Sequence, residues 1–86
     1  MEPYKVFLRL EAVEVLRAVR GPQKPRIVAF IDSLAHDPFQ TGDYTERDET
    51  DREIEIKVIG QYAITFWPDH PLTEVKVVGI GRADRA

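Results

Sequence analysis

The sequence predicts an α+β fold, a helical hairpin packed on one face of a four-stranded, mainly antiparallel sheet in the order β-α-α-β-β-β. Two observations predict it. The apolar period is near two over residues 4–10, near 3.6 through residues 11–37, and near two again from residue 52 onward. Punctuation falls where the period changes, at Gly21-Pro22, Asp37-Pro38 and "PDHPL" (68–72). Eighty-six residues at 43% hydrophobic suffice for one core and not two, so a single domain over residues 1–86 is expected. Its radius of gyration should be about 12 Å.

"YKVFLRL" (4–10) alternates and is rich in β-formers, predicting the first strand. "EAVEVLRAVR" (11–20) puts Ala12, Val15, Leu16 and Val19 on one helical stripe with Val13 at its flank. Gly21-Pro22 ends that helix, a permissive residue followed by one that cannot continue the ladder. Pro25 suits a first helical turn, and "RIVAFIDSLAHD" (26–37) aligns Ile27, Phe30, Ile31 and Leu34. Asp37-Pro38 closes it. "FQTGDYTERDETD" (39–51) is expected to be a polar, solvated loop. Strands are expected at about 52–59, 62–67 and 73–81, with Pro68 marking where the middle one stops pairing. "EVKVVGIG" is apolar on both sides from Val77 to Ile80, which predicts an interior strand.

The hairpin around Gly60 has a register that hydrophobic alternation can choose. A two-residue loop at Gly60-Gln61 would set Lys57 opposite Ile64 and Glu55 opposite Phe66. A three-residue loop, Ile59-Gly60-Gln61, pairs Val58 with Tyr62, Ile56 with Ile64 and Ile54 with Phe66. The latter collects the large apolar residues under the helices and is the expectation. The outer face would then carry Glu53, Glu55 and Lys57 beside Ala63, Thr65 and Trp67.

Composition narrows the chemistry. Fifteen acidic against twelve basic residues leave a net charge of −3, so a broad basic surface for nucleic acid is excluded and any cationic site must be local. With no cysteine, disulfides and thiolate metal sites are excluded, and two histidines make a structural zinc site a poor expectation. No apolar run approaches the ~20 residues that span a bilayer, and the N-terminus lacks a signal-peptide layout, so a cytoplasmic protein is expected. No cofactor is expected.

The first strand, the hairpin ending "IVAFIDSLAHDPF", the loop, "GQYAITFW" and a last strand running into "GIGRADR" resemble the RelE/ParE superfamily of type II toxins over nearly the whole chain. The resemblance implies the sheet-plus-hairpin fold and a cognate antitoxin protein as partner. It also implies one of two poisons: metal-independent mRNA cleavage in the ribosomal A site, or a protein target such as DNA gyrase. In RelE-like cutting, cations on the sheet face hold the mRNA backbone and stabilise charge on the phosphate. By that resemblance the catalytic candidates are Lys57, Arg82 and Arg85. The arginine expected after the "GY" tyrosine is replaced by Ala63, and the family's terminal tyrosine has no counterpart. A carboxylate about 5 Å from a phosphate repels it by roughly 3 kcal/mol at an effective dielectric near 20. Glu53 and Glu55 beside Lys57 therefore imply a weakened, atypical nuclease site, or a non-enzymatic ParE-like or degenerate binding module.

The remaining candidates have plain structural explanations to set beside functional ones. Lys57 is a phosphate contact or a solubilising strand residue; Arg82 and Arg85 are site cations or surface partners of Asp84. Trp67, with Glu55 and Thr65, is the candidate partner-binding set, an aromatic suited to an antitoxin segment or a base. Asp69-His70 are chain neighbours on a proline-bounded turn with no accompanying nucleophile, so a dyad is not expected. His36 is accounted for by the helix dipole. "GIGRAD" opens no helix and "ERDETD" lacks the calcium-loop pattern. A homodimer is open to the chain if its last strand is an edge.

Overall fold

The computed structural model describes residues 2–83. It contains β1 (Lys5–Leu8), α1 (Leu10–Ala18), α2 (Gln23–His36), β2 (Tyr44–Arg47), β3 (Glu53–Ile59), β4 (Tyr62–Asp69), a 3-10 turn at His70–Leu72, and β5 (Glu74–Arg82). The strands form one five-stranded sheet in the order β1-β5-β4-β3-β2, parallel only between β1 and β5. The two helices pack on one face of that sheet, and the Cα radius of gyration is 12.4 Å.

The helical stripes fold as their spacing predicts. Ala12 and Val19 are buried with Val15 and Leu16 packed beside them, and Ile27, Ile31 and Leu34 are buried with Phe30 at their edge. α1 stops at Ala18, where Val19 turns extended (φ −66°, ψ 134°), earlier than the Gly21-Pro22 stop expected; left-handed Gly21 (φ 80°) instead shapes the connection into α2. Phe30 meets Phe66 edge-on, ring centroids 5.5 Å apart, which couples α2 to the centre of the sheet. β5 is interior, as its two-sided apolarity predicts, leaving β1 and β2 as the edges. A bulge at Val78, between the Phe66–Val77 and Thr65–Gly79 pairs, lets both Val77 and Ile80 reach the helix side despite their spacing of three.

Three further expectations need correction. Residues 39–51 are not all loop: Tyr44–Arg47 form β2, an edge strand antiparallel to β3. All four of its residues are exposed, so no apolar stripe betrays it. Second, Pro68 does not end β4. It lies opposite Val75 in a stretch where β4 has β5 on one side only, and a missing N–H is tolerated there. Third, the hairpin has the two-residue loop. Ile59 pairs with Tyr62, Lys57 with Ile64 and Glu55 with Phe66, with Gly60 left-handed at φ 59°.

The register differs because the helices do not span the sheet. Of β3, only Ile59 joins the core. No helix covers the helix-side positions Glu55 and Lys57, so polar side chains are stable there. The segment before β2 ties them instead: the Gly42 N–H donates to Glu55 Oε1 at 2.8 Å, and Lys57 Nζ stands 3.8 Å from Asp43 Oδ1. Ile54, Ile56 and Val58 consequently face the other way.

Candidate functional site

Alternation across the paired strands assigns the open face of the sheet. It carries Phe7 from β1, Lys76 and Val78 from β5, Ala63, Thr65 and Trp67 from β4, Ile54, Ile56 and Val58 from β3, and Tyr44 and Glu46 from β2. Ile56 is only 6% exposed although no helix lies over it; Phe7 and Tyr44 are each about half exposed. The centre of this face is apolar and aromatic, and Lys5, Asp69 and Glu74 complete it at the far end of β1, β4 and β5.

Trp67 is its focus. The Arg52 guanidinium lies 3.9 Å from the indole centroid and Lys76 Nζ 5.3 Å from it, within cation–π range. Arg52 is positioned by the turn between β2 and β3. There Asp48 Oδ1 accepts hydrogen bonds from the Thr50 hydroxyl (2.7 Å), the Thr50 N–H (2.9 Å) and the Arg52 N–H (3.0 Å). Those bonds, the Thr50 hydroxyl foremost and the Arg52 amide next, hold the Asp48 carboxyl below its ordinary range. Asp48 Oδ2 also stands 3.6 Å from the Arg52 guanidinium. Lys76 is held by Asp69 at 3.3 Å and Glu74 at 3.5 Å. Arg9 stands at the corner where β1 turns into α1, its N–H still bonded to the Val77 carbonyl. Two shallow clefts of about 280 and 250 Å³ meet at Arg9, Arg52, Trp67 and Val78.

Of the candidates named from the sequence, Trp67 and Thr65 share this open face. Glu55 does not; it lies on the opposite side, bonded to Gly42. Lys57 is also on that opposite side, paired with Asp43. Arg82, the last residue of β5, lies opposite Tyr62 with its guanidinium 5.7 Å from the phenol ring. Lys57 and Arg82 share a side of the sheet, but two strand spacings and two residues separate their backbones by about 12 Å. Arg85 lies outside the described residues. The repulsion expected from Glu53 and Glu55 therefore falls on the helix-covered side, away from Trp67.

Sequence reasoning passed over Arg9, Arg52, Lys76 and Phe7. Lys76 was legible: with Val75 and Val77 buried, alternation turns it outward beside Trp67. Arg9 and Arg52 have no local signal, since a strand-to-helix corner and a turn deliver them from distant parts of the chain. Asp69 and His70 part company: Asp69 bonds Lys76, while His70 Nδ1 is 2.9 Å from the Tyr4 hydroxyl and its ring stacks on Phe39 at 4.5 Å. Arginines stay protonated and act as donors, so Arg9 and Arg52 can hold negative charge and cannot abstract a proton.

No family model matches the chain, and no curated protein matches it. Solved structures do. A chain of the archaeal RelE–RelB complex from Pyrococcus horikoshii aligns at TM-score 0.79 and 17% identity, covering 98% of this chain and 99% of that one. A chain of the RelBE2 toxin–antitoxin complex from Mycobacterium tuberculosis aligns at TM-score 0.67 and 22% identity, over 99% and 97%. The isolated RelE toxin of E. coli aligns at TM-score 0.67 and 12% identity, over 96% and 87%. The fold is thus the one shared by RelE toxins, at identities too low for these alignments to carry function.

Proposed function

We propose that this chain, built on the RelE toxin fold, is the cytoplasmic toxin component of a type II toxin–antitoxin pair and acts through what its open sheet face binds. The observation that carries this reading is the placement of Trp67 among apolar neighbours under Arg52 and Lys76, while Lys57 and Arg82 lie on the other side of the sheet. Two of the similar structures are toxin–antitoxin complexes, which supports an antitoxin as the partner that covers such a face. An exposed face carrying Phe7, Tyr44, Val58 and Trp67 is costly to leave in water and is the kind of surface a protein segment buries. The toxic target in this reading is a protein, as for ParE-like toxins acting on DNA gyrase.

The second reading is ribosome-dependent mRNA cleavage. It is favoured by Lys57 and Arg82 sharing a side of the sheet with the Tyr62 phenol between them. Loss of one cationic contact to a phosphoryl transition state costs about a hundredfold or more in rate, and Lys57 is already engaged by Asp43.

Expression of the protein alone, with growth measured and mRNA cuts mapped on translating ribosomes, separates the readings. Growth arrest without codon-phased cuts, relieved by Trp67→Ala, is the outcome expected. Codon-phased cuts abolished by Lys57→Ala or Arg82→Ala would replace this reading with the nuclease. Absence of arrest would remove the toxin assignment altogether.

A further inference from the structure

Where β1 and β5 begin, a cavity of about 630 Å³ opens against the C-terminus of α2, more than twice the size of either cleft at Trp67. Tyr4 and Phe39 supply its aromatic walls, Glu2 and Asp37 its acids, and His36 its one basic side chain; no lysine or arginine lines it. The rings are locked in place. The Tyr4 hydroxyl is 2.9 Å from His70 Nδ1, the His70 ring stacks on Phe39 at 4.5 Å, and the Tyr4 and Phe39 rings stand 6.3 Å apart at 59°. The Tyr4 N–H donates to the Ala35 carbonyl, which fixes that wall to the last turn of α2. Phe39 is nevertheless 70% exposed, an aromatic ring held toward water rather than buried.

The charge agrees with the rings. Among the described residues the carboxylates of Glu2 and Asp37 have no ion pair and no hydrogen bond. Asp37 also stands at the C-cap of α2, where the helix end is itself negative and a cation would be stabilised. A metal ion is a poor occupant, since among the described residues no three acids and histidines converge as ligands. A guanidinium uses both parts of the lining: its flat face stacks on aromatic rings and its N–H donors reach carboxylates. The cavity exceeds a single head group, so it admits a long side chain together with the backbone that carries it. We infer that it receives an arginine side chain of a partner protein, the guanidinium against Tyr4 and Phe39 and its charge on Glu2 and Asp37. The inference is independent of the toxin reading and of the open sheet face.

The test is an NMR titration of the full chain at about pH 8 and constant ionic strength, above the ordinary titration of imidazole. The probe is N-acetyl-arginine-N-methylamide, an arginine as a protein presents it. The controls are the corresponding citrulline derivative, a neutral isostere, the lysine derivative, and free arginine, which brings its own carboxylate. The probe should shift the ring resonances of Tyr4, Phe39 and His70 and saturate. The Trp67 indole, already under Arg52 and Lys76, should stay where it is. Glu2→Gln combined with Asp37→Asn should weaken binding about tenfold and leave the urea midpoint unchanged, because neither carboxylate holds the fold. Phe39→Leu should weaken it about fivefold. Where Phe39→Leu also loosens the Tyr4–His70 corner, the acid variant still decides. No shift at the three rings, any control binding as tightly as the probe, an equal shift of Trp67, or binding indifferent to loss of the two acids would each overturn the inference.

Discussion

On the helix-covered side of the sheet, Ile64, Phe66, Val75 and Val77 are sealed from water; on the open side Ile54, Val58, Tyr44 and Phe7 carry the same kinds of side chain toward solvent. The two sides differ in what lies over them far more than in what they are made of. An apolar face closed from within its own chain yields stability, and an apolar face left open yields affinity for whatever closes it. The open side is also where the cations gather around an aromatic ring, which gives it selectivity as well as stickiness.

Substitutions can break that contrast. Phe66→Ala, fully buried against Phe30, should cost about 3–5 kcal/mol in urea unfolding, whereas Val58→Ala on the open face should cost under about 1 kcal/mol. Equal losses would mean that the open face is packed as tightly as the core. Gly42→Ala comes next: a Cβ there would land on the Ile56 carbonyl, a backbone atom that cannot step aside, so a loss of about 1–3 kcal/mol is expected. The same unfolding measurement checks it, and a neutral result would show that the segment before β2 is free to move off β3.

Smaller effects sharpen the assignment of sides. Glu55→Ala removes the acceptor of the Gly42 N–H and should cost about 1 kcal/mol while leaving Trp67 emission untouched. A shifted emission would return Glu55 to the open face. Lys57→Ala breaks only a half-exposed pair with Asp43 and should change stability by under about 1 kcal/mol. Least of all is the response to acid. The Asp48 carboxyl is held below its ordinary value of 3.8, so the turn gains from its charge above that pH and loses it as pH falls through the lowered value. Arg52 should then loosen from Trp67, read as an emission change with a midpoint below 3.8. A midpoint at or above 3.8 would detach the turn from the ring.

The legible parts of the molecule were those where one segment supplies its own pattern. The stripe of Ile27, Ile31 and Leu34 and the interior position of β5 both follow from residues a few places apart. β2 was not legible, because an exposed edge strand of four residues owes its existence to β3 and has no stripe of its own. Trp67 and Thr65 were assigned correctly to the open face, but Glu55 and Lys57 were not, since that step assumed helices above every strand.

Local periodicity by itself determined the two helices, the strands other than β2, and which residues alternate together, because those depend on backbone geometry and nearest neighbours. It could not determine which of two apolar faces is covered. That depends on how far a helical hairpin of fixed length reaches across the sheet, and here the reach ends at Ile59. Only the tertiary structure decided that Ile54 and Ile56 look outward, and that Arg9, Arg52 and Lys76, distant in the chain, meet at one tryptophan.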